Sequence, residues 1–92
     1  MRFEWDPEKN RENQRKHRMS FDDAREAFQD PFPIRDYDDR KYDEDRWVLI
    51  ASMRGIVVFV VYTDRGDTWR LISARKATPY EEARYWARYP WS

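Results

Sequence analysis

The apolar positions change period along the chain, and the changes mark its elements. Met1 to Trp5 reads as a short first strand. Asp6-Pro7 then opens a helix, because Asp accepts from the free amides of the first turn and Pro is preorganised at the first helical position. That helix runs to about His17 and carries a polar stripe, Asn10, Asn13, Gln14 and His17, at helical spacing. Ser20 caps a second helix, with Asp23 three residues on as a capping-box variant and Met19 placed to staple against Ala24. Phe21, Ala24, Ala27 and Phe28 form its buried stripe, and Asp30-Pro31-Phe32-Pro33 stops it.

From there the period is that of strands. Residues 34–45 are acidic and read as a poor edge strand followed by a loop. Arg46 to Arg54 is a strand with Trp47, Leu49, Ala51 and Met53 on one face, and Gly55 turns the chain. Ile56 to Tyr62 is apolar on both faces and belongs at the centre of the sheet. Asp64-Arg65-Gly66-Asp67 is a second hairpin turn, leading into a last strand from Thr68 to Lys76. Thr78-Pro79-Tyr80-Glu81 opens a final helix with a cap, a first-position Pro and a capping-box Glu, and Pro90 ends it. The order is β-α-α-β-β-β-β-α. Three strands in consecutive hairpins imply an antiparallel sheet core with helices packed on it, an α+β fold class. A chain of 92 residues suits one domain, residues 1–92, without room for a second core.

Composition narrows the chemistry. With no cysteine, disulfide scaffolds and thiolate metal sites are excluded. A single histidine, His17, argues against zinc, whose His ligands come in twos or threes. The sequence therefore calls for no metal and no organic cofactor. The N-terminus lacks the apolar segment of a signal peptide, and the run Ile56 to Tyr62 is too short to span a bilayer; a soluble cytoplasmic protein, with no membrane partner, is expected. The formal net charge is zero, but it is unevenly laid out. Residues 1–45 hold 10 Lys and Arg against 14 Asp and Glu, a net of −4, whereas residues 46–92 hold 8 against 4, a net of +4. A neutral chain with a basic half can still present an anion-binding face.

Phe3-Glu4-Trp5-Asp6-Pro7, with Lys9, Asn13 and Lys16-His17 behind it, resembles the opening of BrnT-type toxins. Ser20-Phe21 and Ala24 fit the next piece, Asp45-Arg46-Trp47 a middle element, and Arg70-x-Ile72-Ser73-Ala74-Arg75-x-Ala77 with Glu81 and Tyr85 the closing signature. The resemblance covers nearly the whole chain. It implies a RelE-like fold and a metal-independent ribonuclease that stops translation. It also implies a co-encoded antitoxin with a DNA-binding domain, which holds the toxin and represses the shared operon, so that operator DNA is reached only through the antitoxin.

RNA cleavage needs a base for the 2′-hydroxyl, an acid for the leaving 5′-oxygen and positive charge for the pentacovalent phosphorane. Arg70 and Arg75 suit the last role, since the planar guanidinium matches two phosphate oxygens; the alternative is a solvated strand edge paired to Asp64 or Asp67. By strict alternation Arg70 and Lys76 share one face of the last strand and Arg75 the other, and only a twist or bulge near Ala74 brings all three to one phosphate. His17 is of the one residue type whose ordinary pKa, about 6.5, suits proton transfer at neutral pH, or it simply caps its helix. Arg46 is either a phosphate ligand or half of a surface ion pair. Tyr85 either stacks on a base or packs in the core. Lys16, Lys76 and Asn13 are candidate RNA contacts, the polar stripe of the first helix being either plain surface or a wall of an RNA groove. Trp47, Trp69, Trp86 and Trp91 exceed what one small core needs, which points to a partner surface. The competing function is a non-catalytic interaction module that holds a DNA-binding partner in an operon-repressing complex; an enzyme needs the arginines convergent and open, a scaffold leaves them scattered or paired.

Overall fold

In a computed structural model, residues 2–40 and 43–89 are described. Met1, Pro90 and Trp91, which the sequence assigns to the start of a strand, a helix stop and a partner surface, lie outside the described residues. The elements are β1 (Arg2–Glu4), α1 (Pro7–His17), α2 (Phe21–Ala24) continued by a 3₁₀ turn (Arg25–Gln29), β2 (Ile34–Asp38), β3 (Arg46–Met53), β4 (Ile56–Asp64), β5 (Thr68–Lys76) and α3 (Pro79–Ala87). The fold is α+β, built on one five-stranded sheet in the order β1-β5-β4-β3-β2. The hairpins from β2 to β5 are antiparallel, whereas β1 runs parallel to β5. The sheet is therefore mixed, a difference from the antiparallel expectation that arises at its edge strand. The polar crossing through α1 and α2 carries the chain from β1 to the opposite edge.

Local chemistry explains the boundaries. Asp6 accepts from Glu8 N–H and Ser20 from Asp23 N–H, each satisfying a free amide of its helix. The Asp23 carboxylate is turned to Arg54 (3.1 Å), away from the reciprocal capping-box bond expected of it. Thr78 and Glu81 form a complete capping box on α3. At the β3–β4 hairpin Arg54 and Gly55 both have positive φ, 53° and 80°, the backbone of a tight primed turn.

The sheet divides the core in two. On one face Leu49, Ala51, Met53, Val58, Val60, Tyr62, Leu71 and Ala74 pack under α2 with Phe21, Ala24 and Ala27. Trp5, Trp47 and Trp69 are half-buried against this cluster, so three tryptophans are absorbed by the fold. On the other face Val48, Ile50, Val57 and Val61 pack under α3 with Ile34, Ala77 and Tyr85. β4 contributes to both clusters, as expected of a central strand that is apolar on both sides. Trp86 remains 40% exposed and packs on Tyr89, which also meets Phe32.

Candidate RNA-binding face

A bulge in β5 decides where the arginines point. Val61 pairs with Ser73 but its neighbour Tyr62 pairs with Leu71, so Ile72 is an extra residue on β5. Arg70 and Arg75 are five positions apart, and strict alternation would send them to opposite faces. The extra residue corrects the parity. Trp69, Leu71 and Ala74 join the cluster under α2, and Ile72 joins the cluster under α3. Arg75 stacks on Phe59, whose side is that of α3, with its guanidinium carbon 4.1 Å from the ring centroid. Arg70 reaches Glu4 at 3.4 Å, on the side of β1 away from Phe3 and the α2 cluster. Arg70 and Arg75 thus share the α3 face. Lys76 does not join them: it lies opposite Val58 at the exposed end of the strand, on the α2 side, the reverse of its expected grouping with Arg70.

Arg70 also belongs to a row running across the sheet. Glu4 pairs with Arg70 and Arg70 with Thr63. One step beyond the Trp47–Tyr62 pair, Arg46 lies beside Thr63, and it pairs in turn with Asp38. Neighbours in such a row are about 4.8 Å apart, so Arg46 and Arg70 flank Thr63. Thr63 is buried, and its Oγ1 meets no hydrogen-bond partner among the described residues. Sequence reasoning missed Thr63 because a threonine ending an apolar run reads as an ordinary strand residue.

The partners of the two central arginines are acids, but not those expected from the turn. Arg70 pairs with Glu4, and Arg75 is gripped by both oxygens of Glu81, at 2.8 and 3.0 Å. Neither Asp64 nor Asp67 is that partner. Glu81 also accepts from Thr78 N–H at 2.8 Å, so the capping box of α3 and the seat of Arg75 are one structure. The Arg75 guanidinium holds the Glu81 carboxyl below the usual carboxylate range against the opposing effect of its partial burial. Both arginines nevertheless keep about a third of their side chains open, 31% for Arg70 and 32% for Arg75. Among the other cations of the basic half, Arg84 is bound to Asp36 at 2.9 Å and Arg88 to the carbonyls of Phe32 and Pro33, both at 2.7 Å.

Beside the bulge, α1 and β5 enclose a cleft of about 210 Å³. Lys9, Glu12, Asn13, Lys16 and His17 line it from α1, and Ile72 and Ser73 from β5. His17 and Lys16 are therefore brought to the stretch of strand that separates Arg70 from Arg75. Lys16 stands 3.6 Å from Glu12. Lys9, Glu12 and Ser73 were not singled out as site residues by the sequence, since their convergence depends on how α1 lies along β5.

Two expected contacts are corrected. Asn13 is buried, and its amide is spent on backbone: it donates to Ala74 O (2.8 Å) and Met19 O (2.9 Å) and accepts from Ala74 N–H (3.0 Å). Asn10 likewise accepts from Phe21 N–H. Asn10 and Asn13, half of the polar stripe on α1, are thus engaged by backbone, and Asn13 also lines the wall of the cleft. Tyr85 is wholly buried under α3 and its hydroxyl donates to Asp30, so its ring is not offered to a base. Burial, followed by the hydrogen bond to Asp30, pushes the Tyr85 phenol well above its ordinary range.

A larger cleft of about 770 Å³ lies between β1 and α2, floored by Phe3, Phe28 and Trp69. It is a poor seat for phosphate. Its three acids, Asp22, Asp23 and Glu26, outnumber its two cations, Arg25 and Arg54, and Arg54 is bound to Asp23 and Glu26. Among the described residues no group of three or more His, Asp or Glu is gathered to hold a metal ion, and no helix is long and apolar enough to cross a membrane. Compared with known proteins, the chain matches, over residues 5–81, a family model described as "Ribonuclease toxin, BrnT, of type II toxin-antitoxin system". No curated protein matches it.

Proposed function

The chain belongs to the BrnT family of ribonuclease toxins of type II toxin–antitoxin systems, and from that premise we propose that it cleaves RNA on the α3 face of the sheet without a metal ion. The observation that carries the reading is the bulge at Ile72, which puts Arg70 and Arg75 on one face beside a cleft lined by Lys9, Lys16 and His17. In this reading the 2′-hydroxyl gives up its proton and attacks the adjacent phosphorus. The phosphorus–O5′ bond breaks, and O5′ takes a proton, leaving a 2′,3′-cyclic phosphate and a 5′-hydroxyl. Arg70 and Arg75 bind the non-bridging oxygens, whose charge grows toward the phosphorane; fixed donors of this kind act without reorganising. Glu4 and Glu81 hold the two guanidiniums in place before substrate arrives. His17 and Lys16 are the groups that exchange protons or neutralise the departing strand, and Arg46 extends the cationic row toward β2.

Further parts of the reading rest on family membership. The fold is assigned to the RelE-like class, the cleavage stops translation in the cytoplasm, and a cognate antitoxin with a DNA-binding domain neutralises the toxin and carries it to operator DNA. The test of the chemistry is cleavage of RNA by the purified chain in excess EDTA, with end-group analysis. Cleavage that persists and leaves a 2′,3′-cyclic or 3′ phosphate supports the mechanism; activity that dies on chelation and returns with Mg²⁺ overturns it.

One observation favours the second reading, a non-catalytic module that holds a DNA-binding partner. Both central arginines already have carboxylate partners in the free chain. If those pairs serve only the fold, the purified chain leaves RNA intact at every concentration while still binding its antitoxin.

A further inference from the structure

We propose that Asn13 is a positioning residue of the RNA site: its side-chain amide stands in for a missing strand and fixes the register of β5 just past the bulge. The inference rests on the reading that Arg70 and Arg75 act together on one phosphodiester.

The geometry begins with an incomplete edge. β1 pairs with β5 only from Thr68 to Arg70. From Leu71 onward, no strand among the described residues lies along the edge of β5 away from β4. An open edge with a bulge in it is the kind of segment whose register slips, because nothing on one side counts the residues. Ala74 is the second residue past the extra Ile72, and its N–H and C=O face that open edge. Asn13 meets both, accepting from the N–H at 3.0 Å and donating to the C=O at 2.8 Å. A primary amide carries an acceptor and a donor side by side, as a neighbouring strand does. The same amide nitrogen donates to Met19 O, which ties the end of α1 to the start of α2. Both amide hydrogens and one acceptor position of the oxygen are used, and the side chain is buried.

The consequence falls on Arg75, the residue after Ala74. With Ala74 pinned against α1 and paired to Val60, Arg75 must point to the α3 face, where Phe59 and Glu81 receive it. A slip of one residue would send its side chain to the α2 face and break the shared face with Arg70. Asn13 touches neither phosphate nor base; it acts through the strand.

The test uses the full chain in single-turnover RNA cleavage, with near-UV circular dichroism to count folded molecules. Asn13→Ala, which removes the amide, and Asn13→Asp, which keeps the acceptor but sets a buried carboxylate oxygen against the carbonyls of Ala74 and Met19, should lower the maximal cleavage rate about 10- to 100-fold. The RNA concentration needed for half-saturation should change far less. In an Arg75→Ala background the same Asn13 substitutions should cost little more, because the arginine they place is gone. Penalties that multiply undiminished in that background, or full cleavage per folded molecule, overturn the proposal. Hydrogen exchange of the wild-type chain tests it without any variant: the Ala74 amide should be protected, and fast exchange there overturns it. If Arg70→Lys and Arg75→Lys both cleave like wild type, the functional reading itself falls and this inference with it. If they are impaired while folded Asn13 variants are not, only the inference falls.

Discussion

Asp30 shows how much one side chain can hold together in a chain this small. One oxygen accepts from Phe32 N–H at 2.9 Å; the other accepts from Ser52 N–H at 2.8 Å and from the Tyr85 hydroxyl. The carboxylate thereby joins the end of the 3₁₀ turn, β3 and α3. Burial alone would raise its pKa, but these donors and the nearby Arg88 outweigh burial and hold it below the usual carboxylate range. A depressed carboxyl contributes stability that is present above its unfolded pKa and lost as pH falls through the folded value. The protein should therefore lose melting temperature on acidification below the usual carboxylate range, and Asp30→Asn should flatten that dependence in a pH series of thermal melts. Tyr85→Phe removes one donor and should cost about 1 kcal/mol, or about 4–8 °C in Tm, while leaving cleavage per folded molecule unchanged; a selective loss of cleavage would return Tyr85 to the site. The sequence left Tyr85 between base stacking and core packing because an aromatic on a short helix serves either, and only the partner Asp30, far away in the chain, decides. The backbone role of Asn13 was hidden for the same reason: its partner Ala74 is equally remote in sequence.

At the scale of elements, the helix caps, hairpins and central strand were legible because their signals are local: Asp6-Pro7, Ser20, Gly55, and the apolar run of β4. The parallel pairing of β1 with β5 was not, since no local residue encodes which strand a short edge segment joins. The bulge was legible only as a condition. Alternation put Arg70 and Arg75 on opposite faces, and the chemistry required one face; the extra Ile72 resolves the conflict, yet β5 carries no glycine or proline to announce it. The turn before β4 makes a control for the site. Gly55 has φ +80° with open space around its Cα, so Gly55→Ala introduces backbone strain and no clash. It should cost about 1–2 kcal/mol of stability, read as a lower Tm, with the cleavage rate per folded molecule unaltered. A specific loss of activity would mean that the β3–β4 hairpin takes part in RNA binding.

On the scale of the whole molecule, the two faces of the sheet divide the labour. The α2 face holds most of the aromatic packing, and the α3 face carries Arg46, Arg70 and Arg75 beside a lysine-lined cleft. The sequence showed the charge split between the chain's halves but not this layout, because Lys9, Lys16 and His17 come from the acidic half and join the basic strands only through packing. Trp86 is exposed and packs on Tyr89, whose ring in turn meets Phe32. Saturating antitoxin should raise Tm by several degrees, and an unchanged melt would count against a large interface. The central claim, that arginines sharing one face of a bulged strand grip the scissile phosphate, is tested most directly by the single-turnover cleavage rate of Arg70→Lys in EDTA. Lysine keeps the charge but loses the planar fork, so the account predicts a fall of about 10²–10³ in rate with an unchanged near-UV spectrum. An exposed ion pair with Glu4 would contribute at most about 1 kcal/mol and hardly notice the change, so wild-type cleavage by Arg70→Lys would contradict the account.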